Sequence, residues 1–204
     1  MGVMVAETNT SIRKQLLIAG CLYVGQLIVG YITGWTAPVL AKLQNPDETP
    51  LGGVIDDAES AWIVSVGALG AIIGPYLSGY LCNAIGRKPC LYLGAAIFML
   101  SFIILAVAPN LATIYAGRFI TGFGTGIIFV INLVYIGEMA STRIRGTLLT
   151  LTGLFNTIGV LFAYSVGPFV SYSVINWIGV AICGIYLVLV FFFVTETAVY
   201  QVMK

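Results

Sequence analysis

The 204-residue sequence is 59% hydrophobic and only 8% charged, and its net charge is +1. Soluble domains carry about 25% charged residues, so this composition excludes a soluble enzyme, a disordered chain and a secreted disulfide scaffold. It also offers no basic face for nucleic acid. The sequence therefore predicts a protein whose main solvent is lipid.

Six stretches are long enough to cross a bilayer, since a helix needs about 20 apolar residues to span the hydrocarbon core. They are Leu16–Leu40, Ala61–Cys82, Cys90–Ala108, Ile114–Ile136, Leu148–Val170 and Trp177–Thr195. Continuous apolar runs favour helices over a β-barrel, whose strands alternate. The predicted fold class is an all-α membrane protein with six transmembrane helices.

The predicted organisation has three parts. Residues 1–15 form a cytoplasmic arm, 16–195 a six-helix bundle and 196–204 a cytoplasmic tail. One long polar loop, 41–60, joins the first two spans on the external side and holds five of the eight acidic residues.

The basic residues predict the orientation of the spans, because Lys and Arg concentrate on the cytoplasmic side. Seven of them fall on one side of a six-span topology: Arg13, Lys14, Arg87, Lys88, Arg143, Arg145 and Lys204. Lys42 lies on the opposite side, and Arg118 lies just inside the fourth span. We therefore expect a multi-pass protein of the plasma membrane with both termini cytoplasmic.

Small residues at i, i+4 spacing predict close helix contacts, since lipid gives helices no hydrophobic reason to associate. Rows of this kind occur in the first, second, fourth and sixth spans: Gly30 and Gly34; Gly70, Gly74, Ser78 and Cys82; Gly117, Gly122, Gly124 and Gly126; Gly179 and Cys183. This pattern indicates a compact bundle.

Polar residues inside spans are candidates for a binding site, because such groups usually face a bundle interior or an aqueous cavity. Arg118 either reaches to the outer interface or lines a central cavity. The other candidates are uncharged: Gln26, Thr33, Asn132, Thr152 and Asn156. Amide and hydroxyl groups suit a neutral sugar, although each also serves as an ordinary interhelical hydrogen-bonding group.

The predicted cytoplasmic ends carry a second group of candidate residues, here called the cytoplasmic charge cluster. Its members are Gly79, Asn83, Gly86, Arg87, Lys88, Glu138, Arg143, Arg145 and Glu196. Ion pairs from Glu138 and Glu196 to the arginines would form a latch that breaks when helices separate. The alternative is ordinary positive-inside charge with weak incidental pairs.

These motifs resemble the major facilitator superfamily. Gly79, Gly86, Arg87 and Lys88 match its G-x3-D-x2-G-R-[RK] motif, with Asn83 in place of the acid. Three further motifs resemble its sugar porter branch: Gly117-Arg118, Tyr135-x2-Glu138 and Arg145-Gly146-x-Leu148. The segment Val194-Thr-Glu-Thr197 is similar to that branch's motif after the sixth span. Gly34-Trp35-Thr36-Ala37-Pro38 and Ser60-Ala61-Trp62 look like insect facilitated trehalose transporters.

The resemblance implies the N-terminal half-bundle of a twelve-helix transporter that binds sugar between two halves and alternates access by rocking them. It implies that the cytoplasmic motifs stabilise the outward-facing state. Departures from the branch occur at Asn83, at Leu133 in place of Pro and at Gly153 in place of Gln. Proton-coupled members carry an acid at about Ile32. Because no Asp, Glu or His lies well inside a span, we expect facilitated, downhill transport.

Two functions remain open on the sequence. One is transport of trehalose, glucose or a related hexose as one half of a transporter. The other is a non-transporting truncated product or assembly partner, whose polar face is covered by itself or by another six-helix half. We find no nucleophile–base pair, metal-ligand set or cofactor motif, so no enzyme activity, metal or cofactor is expected. The expected partners are the bilayer and a small neutral sugar, with no nucleic acid.

Overall fold

A computed structural model describes residues 12–195. These residues form six long helices: α1 Ile12–Leu43, α2 Asp57–Ile85, α3 Arg87–Ala106, α4 Leu111–Met139, α5 Arg145–Val166 and α6 Tyr172–Phe193. A short 3₁₀ turn, Gly167–Phe169, separates α5 from α6. Each long helix has the length and hydropathy to cross a membrane, which confirms the predicted class and the six spans.

The loop between α1 and α2 covers 44–56, whereas the sequence predicts a loop over 41–60. The polar residues after 56 belong to the first turn of α2, where Asp56 and Glu59 form a capping box. The Glu59 amide donates to Asp56 Oδ1 at 2.6 Å and the Asp56 amide to Glu59 Oε2 at 3.0 Å. Carboxylates at a helix N-terminus satisfy its free N–H groups, so polarity there marks a helix start.

The last predicted span also begins earlier than expected, at Tyr172 instead of Trp177. Asn176 interrupts the apolar pattern but is fully buried. Its Oδ1 accepts from Trp35 Nε1 at 2.9 Å, and its Nδ2 donates to the Tyr172 carbonyl at 2.8 Å. Because both polar groups of its amide are hydrogen-bonded, Asn176 is buried without the free-energy cost of an unsatisfied polar group.

The helices pack chiefly as two pairs, α2 with α4 and α1 with α5. Helix α3 packs against α4 and α6, and α1 also contacts α4 and α6. The two pairs therefore meet along α1 and α4, with α3 and α6 behind them. Here the pairs are called the α2–α4 pair and the α1–α5 pair.

Glycines make both pairs close, as the small-residue rows predict. A Cβ built at Gly122 would lie 1.9 Å from the Gly67 carbonyl oxygen, and one at Gly30 would lie 1.9 Å from the Asn156 carbonyl oxygen. A Cβ built at Gly70 or at Gly159 would likewise lie 2.2 Å from a carbonyl oxygen of the facing helix. Backbones in such contact leave no room for any side chain.

Two tertiary contacts define which helix ends lie together. Gln15 Oε1, in the first turn of α1, accepts from the Ser141 amide at 3.1 Å, in the α4–α5 loop. Lys42 Nζ, in the last turn of α1, lies 3.4 Å from the Pro168 carbonyl oxygen in the turn before α6. The basic α4–α5 loop and the start of α1 therefore share one end of the bundle, as the charge distribution predicts.

The outer faces of α2 and α5 are largely unpartnered among the described residues. Apolar side chains cover both faces: Trp62, Leu69, Ile72, Tyr76 and Tyr80 on α2; Leu154, Ile158, Leu161, Phe162 and Tyr164 on α5. Large exposed apolar faces require lipid or another protein surface. The outer faces of these two helices therefore suit a membrane.

Candidate solute cavity and cytoplasmic charge cluster

A cavity of about 420 Å³ lies where α1, α2 and α4 meet, in the half of the bundle that holds Lys42. Its polar lining consists of Thr33, Thr36, Arg118 and Thr125. Its apolar lining consists of Ile32, Val64, Gly67, Ala68, Ala71 and Gly122. Cavities with mostly apolar walls and a few convergent polar groups are the usual form of small-molecule sites.

Arg118 dominates this cavity and is only 7% exposed. Because α4 begins at Leu111, Arg118 lies seven residues from the helix start, about 10 Å at 1.5 Å per residue. The sequence interpretation placed it nearer the end of the span. Its Nη2 donates to Thr36 Oγ1 at 3.1 Å, and its Nε lies 3.5 Å from the Ile63 carbonyl oxygen. Arg118 therefore forms part of the cavity wall.

Trp35 and Gly67 fix the guanidinium from two sides. Arg118 Cζ lies 4.8 Å from the centroid of the Trp35 ring, a cation–π contact. Trp35 is itself held by its hydrogen bond to Asn176. A Cβ at Gly67 would lie 3.2 Å from Arg118 Nη2, so a glycine at this position leaves space for the guanidinium.

Thr33 lies in the cavity wall as an exposed residue, while Gln26, two turns earlier on α1, does not. Gln26 is 1% exposed, and neither of its amide atoms has a hydrogen-bond partner among the described residues. The spacing of seven places both on one helix face. The cavity, however, borders only the C-terminal half of α1, and Gln26 is enclosed by packing.

Asn132 lies in the packed interface of α1, α4 and α6 and not in the cavity. Its Nδ2 donates to the Leu22 carbonyl at 3.1 Å, and its Oδ1 accepts from the Tyr186 hydroxyl at 3.2 Å. Gly25 makes room for this arrangement, since a Cβ there would lie 2.7 Å from Asn132 Nδ2. Asn132 therefore corresponds to the interhelical alternative for a polar residue within a span.

Thr152 and Asn156 share a face of α5 as predicted, but this face meets α1 outside the lining of the cavity. Thr152 is buried and donates to the Leu149 carbonyl at 2.5 Å. Asn156 is half-buried, and its backbone carbonyl forms the contact with Gly30. Its side-chain amide has no hydrogen bond to a described residue.

Sequence reasoning missed Thr36 and Thr125 as cavity residues. Thr36 is three residues after Thr33, so both lie on one face of α1. Thr125 is seven residues after Arg118, two turns along one face of α4. Once Arg118 and Thr33 are assigned to a cavity, these spacings predict that Thr36 and Thr125 face the same cavity.

At the opposite end of the bundle, Arg87 and Glu138 form a two-point ion pair. Arg87 Nη2 donates to Glu138 Oε1 at 2.6 Å and Nε donates to Oε2 at 3.1 Å. Arg87 Nη1 also donates to the Cys82 carbonyl at 3.1 Å. The side chains are 6% and 17% exposed, so this pair is more than an incidental surface contact. It joins α3 to the end of α4 and α2.

The remaining arginines of the cytoplasmic charge cluster do not pair with Glu138. Arg145 instead donates from Nε and Nη2 to the Ala140 carbonyl, at 3.3 and 3.1 Å, next to the end of α4. Basic groups favour helix C-termini because free carbonyls concentrate there. Arg143 is exposed and forms no ion pair with a described residue. Glu196 lies outside the described residues.

The other predicted members of the cluster have distinct surroundings. Gly86 has φ = 98° and joins α2 to α3, a conformation that favours glycine. Gly79 and Asn83 are exposed, and a Cβ at Gly79 would meet nothing within 4 Å. Lys88 Nζ lies 5.9 Å from the Tyr92 ring centroid. In the neighbouring motifs, the Tyr135 hydroxyl donates to the Thr195 carbonyl.

Comparison with known proteins identifies the fold. The D-xylose–proton symporter structure matches with a TM-score of 0.79 and 22% identity, over 92% of this chain and 50% of the symporter. The major facilitator superfamily proton:xylose symporter XylE bound to 6-bromo-6-deoxy-D-glucose also gives 0.79, with 21% identity over 94% and 47%. The described helices therefore have the fold of half of a major facilitator superfamily transporter.

Sequence relatives agree with this fold. The facilitated trehalose transporter Tret1-1 of Drosophila sechellia is 33% identical over 88% of this chain, and Tret1 of Culex quinquefasciatus is 28% identical over 87%. The chain spans 21% and 34% of the lengths of these two relatives. The family model described as sugar (and other) transporter matches residues 18–204. This chain therefore belongs to the sugar transporter family of the major facilitator superfamily.

Proposed function

We propose that this chain supplies one six-helix half of a facilitative transporter for a neutral sugar such as trehalose, glucose or a related hexose. The observation that carries the proposal is the cavity between α1, α2 and α4, with hydroxyls of Thr33, Thr36 and Thr125 beside Arg118. Hydroxyl and guanidinium groups are the hydrogen-bonding partners of sugar hydroxyls. The names of its relatives support trehalose as the first substrate to test.

Transport is proposed to be downhill, without proton coupling by this half. Ile32 occupies the cavity wall at about the position where proton-coupled members of the branch carry an acid. No carboxylate is among the described residues that line the cavity. A proton-coupled cycle needs a titratable group in contact with the substrate pathway, and this cavity wall provides none.

The cytoplasmic charge cluster is proposed to hold the cytoplasmic ends of the helices together. The Arg87–Glu138 pair supports this role, because it joins α3 and α4 at that end. The basic α4–α5 loop lies at the same end and supports a cytoplasmic location for both termini in a plasma-membrane protein. The proposed bundle is 16–195, between an arm at 1–15 and a tail at 196–204.

A second candidate function is an assembly partner that does not itself move solute. The exposed apolar faces of α2 and α5 favour it, since a further helical unit, a second copy or another half, can cover them. Flux measurements discriminate the two functions. If the chain is a transporter half, substitutions in its cavity should change which solutes are transported. If it is only an assembly partner, its presence should change the amount of the associated transporter in the membrane and leave that transporter's selectivity unchanged.

The decisive experiment is reconstitution of the purified protein in liposomes, with native mass determination of its assembly. We expect uptake of radiolabelled trehalose or D-glucose above that of L-glucose, unchanged by a protonophore at fixed internal pH. Thr36→Val should reduce uptake, while Thr157→Val, at an exposed position of α5 outside the cavity, should not. Equal uptake of D- and L-glucose would refute sugar transport, and strong inhibition by the protonophore would refute downhill transport.

A further inference from the structure

The cavity wall contains one cationic side chain, Arg118, which has no anionic partner among the described residues. Arg118 is 7% exposed, and its neighbours include the Thr36 hydroxyl, the Ile63 carbonyl, the Trp35 ring and the backbone of Gly67. The Tyr172 phenol also interacts electrostatically with it. The ion pairs of the described residues lie elsewhere: Lys42 with Glu48 in the external loop, and Arg87 with Glu138 in the cytoplasmic charge cluster. These neighbours of Arg118 are all neutral groups.

An arginine cannot escape this situation by losing its proton, since its guanidinium stays charged in proteins. A buried charge is tolerated when it is paired and hydrogen-bonded. Two neutral acceptors satisfy part of its donor set but supply no negative charge. The site therefore favours an anion over water as the hydrogen-bonding partner of the remaining guanidinium donors.

The hydrogen-bond directions point to the same type of ligand. Arg118 Nη1 donates to no described residue, and the Thr36 hydroxyl accepts from Nη2 but donates to no described residue. Thr33 and Thr125 donate to carbonyls of their own helices, Val29 and Thr121. The corner formed by Arg118 and Thr36 thus presents unused donors to the cavity, and unused donors beside a cation are the features of an anion site.

We propose that Arg118 and Thr36 form a binding site for a monovalent anion within the cavity. The inference rests on the proposed function, because it assigns a ligand class to part of the same cavity. Two sources provide this chemistry: a free inorganic anion such as chloride, which would accompany a neutral sugar, or the carboxylate of a sugar acid. In either case Arg118 is compensated when the cavity is occupied.

Trp35 offers a direct readout, because its ring lies against the guanidinium. The sequence contains three tryptophans. Trp35 is 1% exposed, whereas Trp62 and Trp177 are 59% and 49% exposed. A W62F/W177F protein in detergent leaves Trp35 as the only tryptophan. Iodide is the probe, since it is a monovalent anion that quenches indole fluorescence on close approach.

Iodide is titrated at constant ionic strength against a bulky sulfonate. We expect saturating quenching of Trp35, loss of saturation in Arg118→Gln, and retention of saturation in Arg143→Gln, which removes an exposed arginine at the other end. Thr36→Val should raise the half-saturating iodide concentration several-fold. Acrylamide, a neutral quencher, should give a linear response in all variants.

Competition distinguishes the two sources of the anion. Displacement of iodide by chloride at a concentration equal to or lower than that of glucuronate indicates a free anion, whereas displacement by glucuronate at lower concentration indicates a sugar acid. Linear quenching by iodide, or saturating quenching that neither anion displaces, would overturn the proposal. If Arg118→Gln fails to fold, Thr36→Val decides: an unchanged iodide response in that variant also overturns it.

Failure of the anion site and failure of sugar transport are separable. Uptake of a neutral sugar is measured in liposomes containing only the sulfonate, where the anion site is empty. Quenching of Trp35 is measured in detergent and does not depend on flux. A protein that transports but shows no iodide site loses this inference alone, and a protein with an iodide site but no flux loses the proposed function alone.

Discussion

Replacing Gly122 by alanine should separate α2 from α4 and destabilise the bundle. The added Cβ would lie 1.9 Å from the Gly67 carbonyl oxygen and 2.8 Å from its carbon. Ordinary contact begins at 3.4 Å, so the backbones must move apart by 3.4 − 1.9 = 1.5 Å. Both contacting groups are backbone, and no flexible side chain can yield.

The magnitude follows from the length of the contact that must open. Gly70 and Gly74 of α2 approach the Phe119 and Phe123 carbonyls of α4 at 2.2 and 2.4 Å for an added Cβ. A gap of 0.5–1 Å already forfeits about a quarter to a half of the dispersion energy of each contact. Overpacking typically costs about 1–3 kcal/mol, and a displacement along this whole row places Gly122→Ala at about 3 kcal/mol or more.

Gly137→Ala is the matched control in the same helix. A Cβ there meets nothing within 4 Å, so alanine should stabilise α4 by about 0.5–1 kcal/mol through its helix propensity. All four cysteines of the sequence are buried, so a thiol-reactive fluorophore reports unfolding during heating. We expect the melting temperature of Gly122→Ala to fall by about 6–12 °C and that of Gly137→Ala to stay or rise. Equal melting temperatures for the two variants would refute the assigned contact.

Four other substitutions test other parts of the bundle by the same melting assay. Arg87→Gln should destabilise by about 3–5 kcal/mol, because it leaves the largely buried carboxylate of Glu138 without its ionic partner. Glu138→Gln should also destabilise, because it removes the ionised acceptor of two hydrogen bonds from Arg87; the double variant should lose less than the sum, and additive losses would contradict the pair. Gln26→Leu should raise stability by about 1–3 kcal/mol, since both amide atoms lack partners; a loss would mean that the amide is satisfied. Asn176→Ala should cost about 1–3 kcal/mol by leaving Trp35 Nε1 unpaired, and an unchanged melting temperature would count against that bond.

The spans and the glycine contacts were predictable from sequence because each depends on local spacing. Continuous apolar runs determine spans, and small residues at i, i+4 determine where backbones meet, as at Gly70 and Gly74. The Arg87–Glu138 pair was one of several possible pairings. Only the structure selected it, because Arg145 donates its hydrogen bonds to the Ala140 carbonyl at the end of α4 and not to Glu138.

The membership of the cavity was harder to predict, because it depends on which helix faces remain uncovered. Gln26 and Thr33 share one face of α1, yet one is enclosed and the other is exposed. Asn132 and Arg118 both lie inside α4, but only Arg118 reaches the cavity. Packing by α6 covers the first of these positions through Tyr186. A sequence pattern shows which face of a helix a residue occupies, but it does not show which other helix covers that face.

Helices α1 and α4 are joined at two levels, and only one is accessible to a solute. At the inner level, Asn132 bonds to the Leu22 carbonyl in a packed interface where Asn132 has no exposed surface. At the outer level, Arg118 bonds to Thr36 and stacks on Trp35 beside the cavity. A hydroxyl or anion in the cavity can bind to Arg118 Nη1 and the Thr36 hydroxyl while the bond between Arg118 and Thr36 remains, but it cannot reach Asn132.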